Sequence, residues 1–597
     1  MGEWEDIVKE REKLEDEIAQ FPVGYISKKN IHGKIRYYRQ WTENGKIKSQ
    51  YIKEEELDEI QDQISRRKEL QQRLKELNQQ TKGTRKTSSG ERKKTGAGLL
   101  LSGADFETNV LIGEELLAMA GNIQSRRKRD CYHQLSAYLK GEGGERVCIV
   151  AGLRRTGKTT MIRQAILDMD EEEVKRAAYI KTTAADNMEI MSRDLKRLNQ
   201  SGYRYVFIDE VTLMDDFIDS AALLSDIYAA QGMRIVLTGT DSLAFGLALR
   251  QELFDRAITV RTTFIPFREY SRLLGVDSID EYIRYGGTLR AGNPEKDEEG
   301  AQMGPKETFA LFRNKESTKE YIESAVCRNI QRSLGASKDK SQFASLRPLL
   351  ESGELIQAVN QIMEDMNLNF LLLAASENPL FHDLRIAVWN LRNERSRLEQ
   401  AQGITKAQLS QVKEALVALD LIVECPAETA RSGGETIEKV IFTQPGIRYS
   451  QVQMLIQDVL NGDRFGKLSQ AEKKEFAERI LIEVRGRMLE EMVLMETEKS
   501  LSSRYQVFKM QMAIGEFDMV VYDTEQNNCS ICEVRGSGQL AKSKFRRVPD
   551  AEKYRQIERR FGPITERITL CRDPEVLAAS GGAGKYCRIE EYLKNLS

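Results

Sequence analysis

The sequence predicts an α/β fold in which a parallel sheet lies between two layers of helices, and two stretches predict it. The first is GLRRTGKT, Gly152 to Thr159, which completes the pattern G-x-x-x-x-G-K-[ST]. It follows Arg146 to Ala151, an apolar run that reads as a buried strand, and precedes Thr160 to Leu167, which carries helical periodicity. The second is YRYVFIDE, Tyr203 to Glu210, an apolar strand ending in two adjacent acids. Strand, glycine loop and helix is the context a phosphate-binding loop needs, so the expected core is the three-layer core of a P-loop NTPase.

In that geometry Gly152 and Gly157 let the backbone curl so that its N–H groups and the helix N-terminus face the phosphates. Arg155, Thr156 and Thr160 belong to the same nucleotide-binding set. Lys158 reaches the β- and γ-phosphates and the Thr159 hydroxyl ligates magnesium. Asp209 is placed to hold that Mg²⁺ through water and Glu210 to polarise the attacking water, which is the chemistry of ATP hydrolysis rather than of binding alone. Between the motifs lies another strand, Ala177 to Thr182, and a helix from about Asp186 to Asn199; an extra strand between lysine and acid marks the ATPases that carry a catalytic glutamate. Met233 to Thr238 is a further buried strand leading into Gly239-Thr240-Asp241-Ser242. A polar group at its tip touches the γ-phosphate or the attacking water; Thr240 is the candidate, with Thr238 and Asp241 behind it. Arg256, before the strand Ala257 to Val260 and on the far side of the core from the loop, is a candidate arginine finger for a neighbouring subunit or docked domain.

With 597 residues the chain holds several domains. Lys+Arg is 90 against Asp+Glu 92, so the net charge of −2 gives no global drive toward nucleic acid, and any such binding must come from local basic patches. No apolar run reaches 18 residues and the N-terminus is charged, which predicts no membrane association. Eight scattered cysteines imply a reducing, cytoplasmic setting. Cys529 and Cys532 fall in a predicted strand and point to opposite faces, which excludes a shared metal there. The only histidines are His32, His133 and His382, which excludes histidine-based zinc or triad chemistry.

Residues 1–78 read as a module of helix (Glu5 to Gln20), three strands (Val23 to Ser27, Gly33 to Trp41, Gly45 to Ile52) and helix (Glu54 to Leu77). Its sheet interleaves Lys28, Lys29, Lys34, Arg36, Arg39, Lys46 and Lys48 with Tyr25, Tyr37, Tyr38, Trp41 and Tyr51. Such a sheet can cradle a nucleic-acid strand, or can simply be a solvated face over a small core. Residues 79–98 form a basic flexible linker. The expected order thereafter is an ATPase domain over 99–290, a helical region over 291–395, a winged-helix-like segment over 396–450 and a C-terminal domain over 451–597. Arg126 to Arg129 read as a solvated helix face, and GGAGK at Gly581 to Lys585 lacks the strand, spacing and hydroxyl of a second phosphate loop.

Together these residues resemble a bacterial and archaeal family of AAA-like ATPases with a restriction-nuclease-like C-terminal domain. The resemblance runs from about Gly121 to Asp573. It is carried by GLRRTGKT, VFIDEV, IVLTGTDS, the arginine of LFDRAITV, IPFREY, YIRYGG (Tyr282 to Gly287) and YIESAVCRNI (Tyr321 to Ile330). The chain departs from it at Thr288-Leu289-Arg290, where the family continues Phe-Pro or a close variant. The resemblance implies a winged helix, matched by a helix over Ile404 to Leu416 and wing strands Leu421 to Cys425 and Lys439 to Thr443. That helix carries Lys406, Lys413 and Glu414, a charge pattern suited to packing between domains more than to reading DNA. The resemblance also implies a C-terminal PD-(D/E)xK fold with Glu490 or Glu491 on its first helix and Asp518 and Glu533 as metal ligands. Arg535 stands where that family has lysine, and an always-protonated guanidinium is a poor substitute for a tunable amine. The expected protein is a Mg-dependent ATPase that couples nucleotide state to domain docking, acts on nucleic acid or a protein partner, and can form a homo-oligomer. Its rivals are an ATP-gated metal-dependent DNA nuclease and a nucleotide-binding scaffold.

Overall fold

Turn-forming His32-Gly33 and Asn44-Gly45 divide residues 25–52 into three short runs. In a computed structural model of the chain these runs pair as an antiparallel sheet, β1 (Tyr25–Ile31), β2 (Lys34–Glu43) and β3 (Lys46–Ile52), in that order. The structure describes most of residues 25–66 and, from 103 to 596, all but short segments, of which 290–310, 537–549 and 573–583 are the longest. In this N-terminal unit, Met1–Gly98, Ile52 is buried, and Leu57, Ile60 and Gln61 are helical as expected. The helix expected over 5–20, the linker over 79–98 and the side chains of the basic stripe lie outside the described residues.

The second unit, Leu99–Ser597, is built on two sheets. The first has the order β4-β6-β7-β8-β5-β9, from β4 (Asn109–Ile112), β5 (Val147–Ala151), β6 (Ala177–Lys181), β7 (Tyr205–Asp209), β8 (Arg234–Gly239) and β9 (Ala257–Arg261). All its pairs are parallel except β4 on β6. A parallel strand covered on both faces must be apolar throughout, and every residue of VCIVA in β5 is buried. Val147 and Ile149 join one apolar cluster with Leu195, Phe217 and Phe245, whereas Cys148 and Val150 join another with Met161, Ile162 and Ile166. The two clusters are the two faces of the sheet, so the predicted three layers are present. Helices α1 (Lys158–Leu167), α2 (Met188–Gln200) and α3 (Ser242–Arg250) contribute to them. The strand interposed between the lysine strand β5 and the acidic strand β7 is β8, not β6. The crossover through α1 skips two positions, which the later β7 and β8 fill, so β6 lies beyond β7.

Beyond the first sheet come α4 (Phe267–Leu274), α5 (Ile279–Tyr285), α6 (Arg328–Ala336), α7 (Leu355–Ser376), α8 (His382–Gln402) and α9 (Lys406–Ala418). The rest of the unit comprises β10 (Ile422–Thr429), β11 (Thr436–Phe442), α10 (Pro445–Asn461), α11 (Gln470–Ser500), β12 (Tyr505–Gln511), β13 (Glu516–Asp523), β14 (Asn528–Arg535), α12 (Asp550–Phe561), β15 (Ile564–Cys571), β16 (Lys585–Arg588) and α13 (Ile589–Asn595). The second sheet has the order β11-β10-β12-β13-β14-β15-β16. The strands expected as a wing are therefore the edge of the C-terminal sheet, with β10 parallel to β12 and Ala427 opposite Lys509. The reason lies in β10 itself, whose Ile422, Cys425 and Ala427 are buried and need a sheet-sized core. Thr405 caps α9 in a box with Gln408, and Val412, Ala415 and Leu416 turn inward against Ile322, Val326 and Met363. One core joins Ile265, Tyr282, Leu384, Tyr449, Met488 and Leu570, crossing the positions 290, 395 and 450 expected as boundaries. Among the described residues no helix is long and apolar enough to cross a membrane.

Candidate nucleotide site

β5 ends at Ala151 and the chain turns at Gly152, where a Cβ would stand 2.1 Å from Thr262 Oγ1 and 3.1 Å from Thr156 Oγ1. Only glycine fits that approach. Arg155 (φ 65°) and Gly157 (φ 93°) are left-handed, and α1 starts directly after Gly157. Thr156 is buried behind the loop, its hydroxyl donating to Leu153 O at 2.9 Å. Lys158 curls over the loop and donates to Gly152 O (2.7 Å) and Leu153 O (2.8 Å). Burial lowers its pKa to about 8, opposed by the charges of Glu210 and Asp209.

Arg155, Gly157, Lys158, Thr159, Thr160, Glu210 and Thr240 line one cavity of about 640 Å³. Asp209 is buried at its base. It accepts from Thr159 Oγ1 (3.2 Å), Tyr179 OH (2.7 Å), Lys181 Nζ (2.9 Å) and Thr238 Oγ1. Burial opposes its charge, but Lys181 and these hydrogen bonds outweigh burial and hold the carboxyl below its usual range. The oxygen donors Thr159 and Asp209 suit a hard divalent cation. Glu210 is a left-handed non-glycine (φ 63°), and its Oε2 accepts both the N–H and the hydroxyl of Thr240 at 3.1 Å. Backbone strain at such a residue is found where a side chain must be aimed.

Three supports were not foreseen. Lys181 ends β6 opposite Asp209 on β7, a pairing that strand alignment alone would have offered; Tyr179 sits two residues earlier on the same strand. The third is Arg129, expected on a solvated helix face with Arg126, Arg127 and Lys128. Arg126 lies outside the described residues; the other three lie on a loop ahead of the helix Tyr132–Leu139, and Arg129 is only 5% exposed. It is drawn inward by carbonyls that need a donor. Nη1 reaches Thr156 O (2.5 Å) and Thr262 O (3.1 Å), Nη2 reaches Phe264 O (2.9 Å), and the fork pairs with buried Glu269 of IPFREY. Leu289, in the turn where the chain departs from the family pattern, donates its N–H to Arg155 O (2.7 Å) and also lines the cavity.

Arg256 is elsewhere. Its carbonyl accepts from Val147 N at the start of β5, the opposite end from the phosphate loop, and its side chain pairs with Asp226 at 2.8 Å. It does not line its own chain's nucleotide cavity.

In the second sheet Asp518 meets Glu490 and Glu516, whose carboxylates come within 4.8 Å of one another. Lys509 Nζ lies 2.9 Å from Glu516, 3.5 Å from Glu490 and 4.0 Å from Asp518, and Arg487 bonds Glu490 and Glu516 at 2.9 Å. Burial, then Glu490, pushes Asp518 up to about 8. Glu533, expected to share a metal with Asp518, turns instead to Arg535 at 3.1 Å and is 41% exposed. Asp518 is held by the ammonium of Lys509 on the neighbouring strand and by Val534 N, which donates to it at 2.8 Å. Glu491 is taken by Arg448 and Lys439.

Among solved structures, the Walker-type ATPase PABY2304 of Pyrococcus abyssi aligns at 13% identity and a TM-score of 0.27, covering 55% of this chain and 96% of that one. The Aeropyrum pernix ORC1 protein in complex with DNA aligns at 12% and 0.22, covering 57% and 96%. Scores this low do not establish a shared fold. No curated protein matches the chain. Residues 4–62 match a domain of unknown function (DUF6788). Residues 144–271, which hold the phosphate loop, both acids, Thr240 and Glu269, match a family described as an AAA domain, and this part of the chain is accordingly a P-loop ATPase domain of AAA type.

Proposed function

We propose that the chain binds Mg-ATP in the 640 Å³ cavity, hydrolyses it, and uses the nucleotide state to shift how the helical and C-terminal parts dock on the ATPase sheet, with nucleic acid or a partner protein as target. The observation that carries this reading is the convergence of Lys158, Thr159, Glu210 and Thr240 on one cavity with Asp209 at its base. Lys158 exchanges its two carbonyl partners for phosphate oxygens, which restores the charge partner that burial denies it. Thr159 and, through water, Asp209 would hold Mg²⁺, which supplies charge neutralisation at the β- and γ-phosphates. Glu210 accepts the proton of the attacking water while Thr240 fixes its Oε2.

Arg256 serves as the finger for a neighbouring copy, since it lies at the wrong end of the sheet for its own nucleotide; exposed Phe254 stands two residues away. Mixing inactive Arg256→Ala with inactive Lys158→Ala should then restore ATP turnover. No recovery in a demonstrated mixed assembly would remove Arg256 from the mechanism between copies.

The order helix, three strands, helix, strand over 470–571 supports a PD-(D/E)xK-like end. Lys509 supplies an amine near Asp518, but Lys509 and Arg487 already neutralise the carboxylates that would take a metal, so we read this end as a docking surface that does not cut. Steady-state ATPase with and without DNA, run beside plasmid nicking in Mg²⁺ or Mn²⁺, tests the whole reading. The expected result is turnover without nicking. Nicking that disappears in Asp518→Ala would make the protein an ATP-gated nuclease, and bound ATP without turnover would leave a scaffold.

A further inference from the structure

YIESAVCRNI takes no part in the chemistry above, yet it touches the nucleotide site at both ends, Tyr321 OH donating to Arg154 O at 3.4 Å and the last turn reaching Thr240. Asn329, in the first turn of α6, is 7% exposed. Its Nδ2 donates to Thr240 O at 2.6 Å and to Ala325 O at 3.1 Å. One turn on, Ser333 Oγ donates to Asp241 Oδ1 at 2.5 Å. The helix thus grips both residues of the turn that follows β8. The residue whose carbonyl Asn329 holds is the residue whose N–H and hydroxyl hold Glu210 Oε2. The two peptide planes that carry this carbonyl and this N–H meet at the Thr240 Cα, so a pull on the carbonyl is passed to the glutamate's anchor.

The turn is also poorly satisfied. Asn329 Oδ1, Asp241 Oδ2 and Ser242 Oγ are buried without a hydrogen-bond partner among the described residues. Buried polar atoms are rarely left so, and all three lie around the turn that Asn329 and Ser333 hold.

We propose that Asn329 is a positioning residue for ATP hydrolysis: it sets where Thr240 presents the Glu210 carboxylate, so that a shift of α6 changes turnover without changing nucleotide affinity. The inference rests on the reading of Glu210 as the base. It gives the helical region a route to the chemistry that needs no contact with ATP, by a chain of bonds from α6 through Thr240 to Glu210.

The test uses the full chain and the isosteric Asn329→Asp, which turns the donor into an acceptor facing the Thr240 carbonyl. Asn329→Ala is the second variant, should Asp fail to fold by circular dichroism. kcat is expected to fall about tenfold or more while KM and the affinity for a fluorescent ATP analogue stay within about twofold. In a Glu210→Gln background the same change should lower the residual rate by less than about twofold, because the group it positions is gone. Wild-type kcat in both Asn329 variants would overturn the inference while leaving Glu210 as the base. A parallel loss of kcat and affinity would overturn it too, making Asn329 a structural support of the cavity. Glu210→Gln turning over at the wild-type rate would sink the reading of Glu210, and this inference with it.

Discussion

Glu210→Gln is expected to bind Mg-ATP as tightly as the wild type and to turn it over about 10²- to 10⁴-fold more slowly, the range a positioned general base contributes. The substitution keeps the shape of the side chain, and an amide oxygen can still accept the two bonds from Thr240 that fix Oε2. What it removes is the charge that takes a proton from water. Lys158→Ala should fail one step earlier, at binding, because the buried amine beside the loop carbonyls is the group placed to meet the phosphates. The two variants therefore separate along kcat and affinity, and equilibrium binding beside steady-state turnover reads both. Loss of binding in Glu210→Gln would move this residue from the chemistry to the architecture of the cavity.

The nucleotide core was legible because its signals are local. A phosphate loop is eight consecutive residues, and the apolar runs before it and before Asp209 say which secondary structure carries them. Lys181 was half legible: it ends a strand that must lie in the same sheet as Asp209, but only the register makes them partners. Arg129 was not legible. It stands in a run of four basic residues that reads as solvated, and its partner Glu269 lies 140 residues away. The same holds for the second sheet. Residues 421–443 have the pattern of a hairpin, and whether a hairpin stands free as a wing or extends a sheet depends on β12, more than sixty residues later. The resemblance offered Asp518 as a metal ligand beside Glu533, but the structure sets it beside Glu490 and Glu516, and the lysine near it comes from β12 rather than from two positions after Glu533.

Arg129→Ala is expected to destabilise the ATPase part by about 3–5 kcal/mol, the cost of breaking a buried ion pair by removing one partner. Three consequences add up at one place. Glu269, 2% exposed, would be left with the Asp130 N–H at 2.8 Å as its remaining hydrogen bond among the described residues. The carbonyls of Thr156, Thr262 and Phe264 would lose their donor in the interior. Thr156 directly precedes Gly157, so the phosphate loop would lose one of its ties to the segment after β9, keeping Thr156 Oγ1 to Thr262 Oγ1 (2.8 Å) and Leu153 N to Thr263 Oγ1 (3.2 Å). ATP affinity should accordingly fall together with stability, which distinguishes this variant from Glu210→Gln. Arg129→Lys restores the charge but not the fork that spans Glu269 and three carbonyls, so it should recover only part of the loss. Removing both partners in Arg129→Ala/Glu269→Ala should be milder than the sum of the two single changes, because neither charge is then left buried alone. Chemical denaturation of the four variants beside ATP binding measures each of these. If Arg129→Ala unfolds with the wild type and still binds ATP normally, the loop is held by its own glycines and the clamp is incidental.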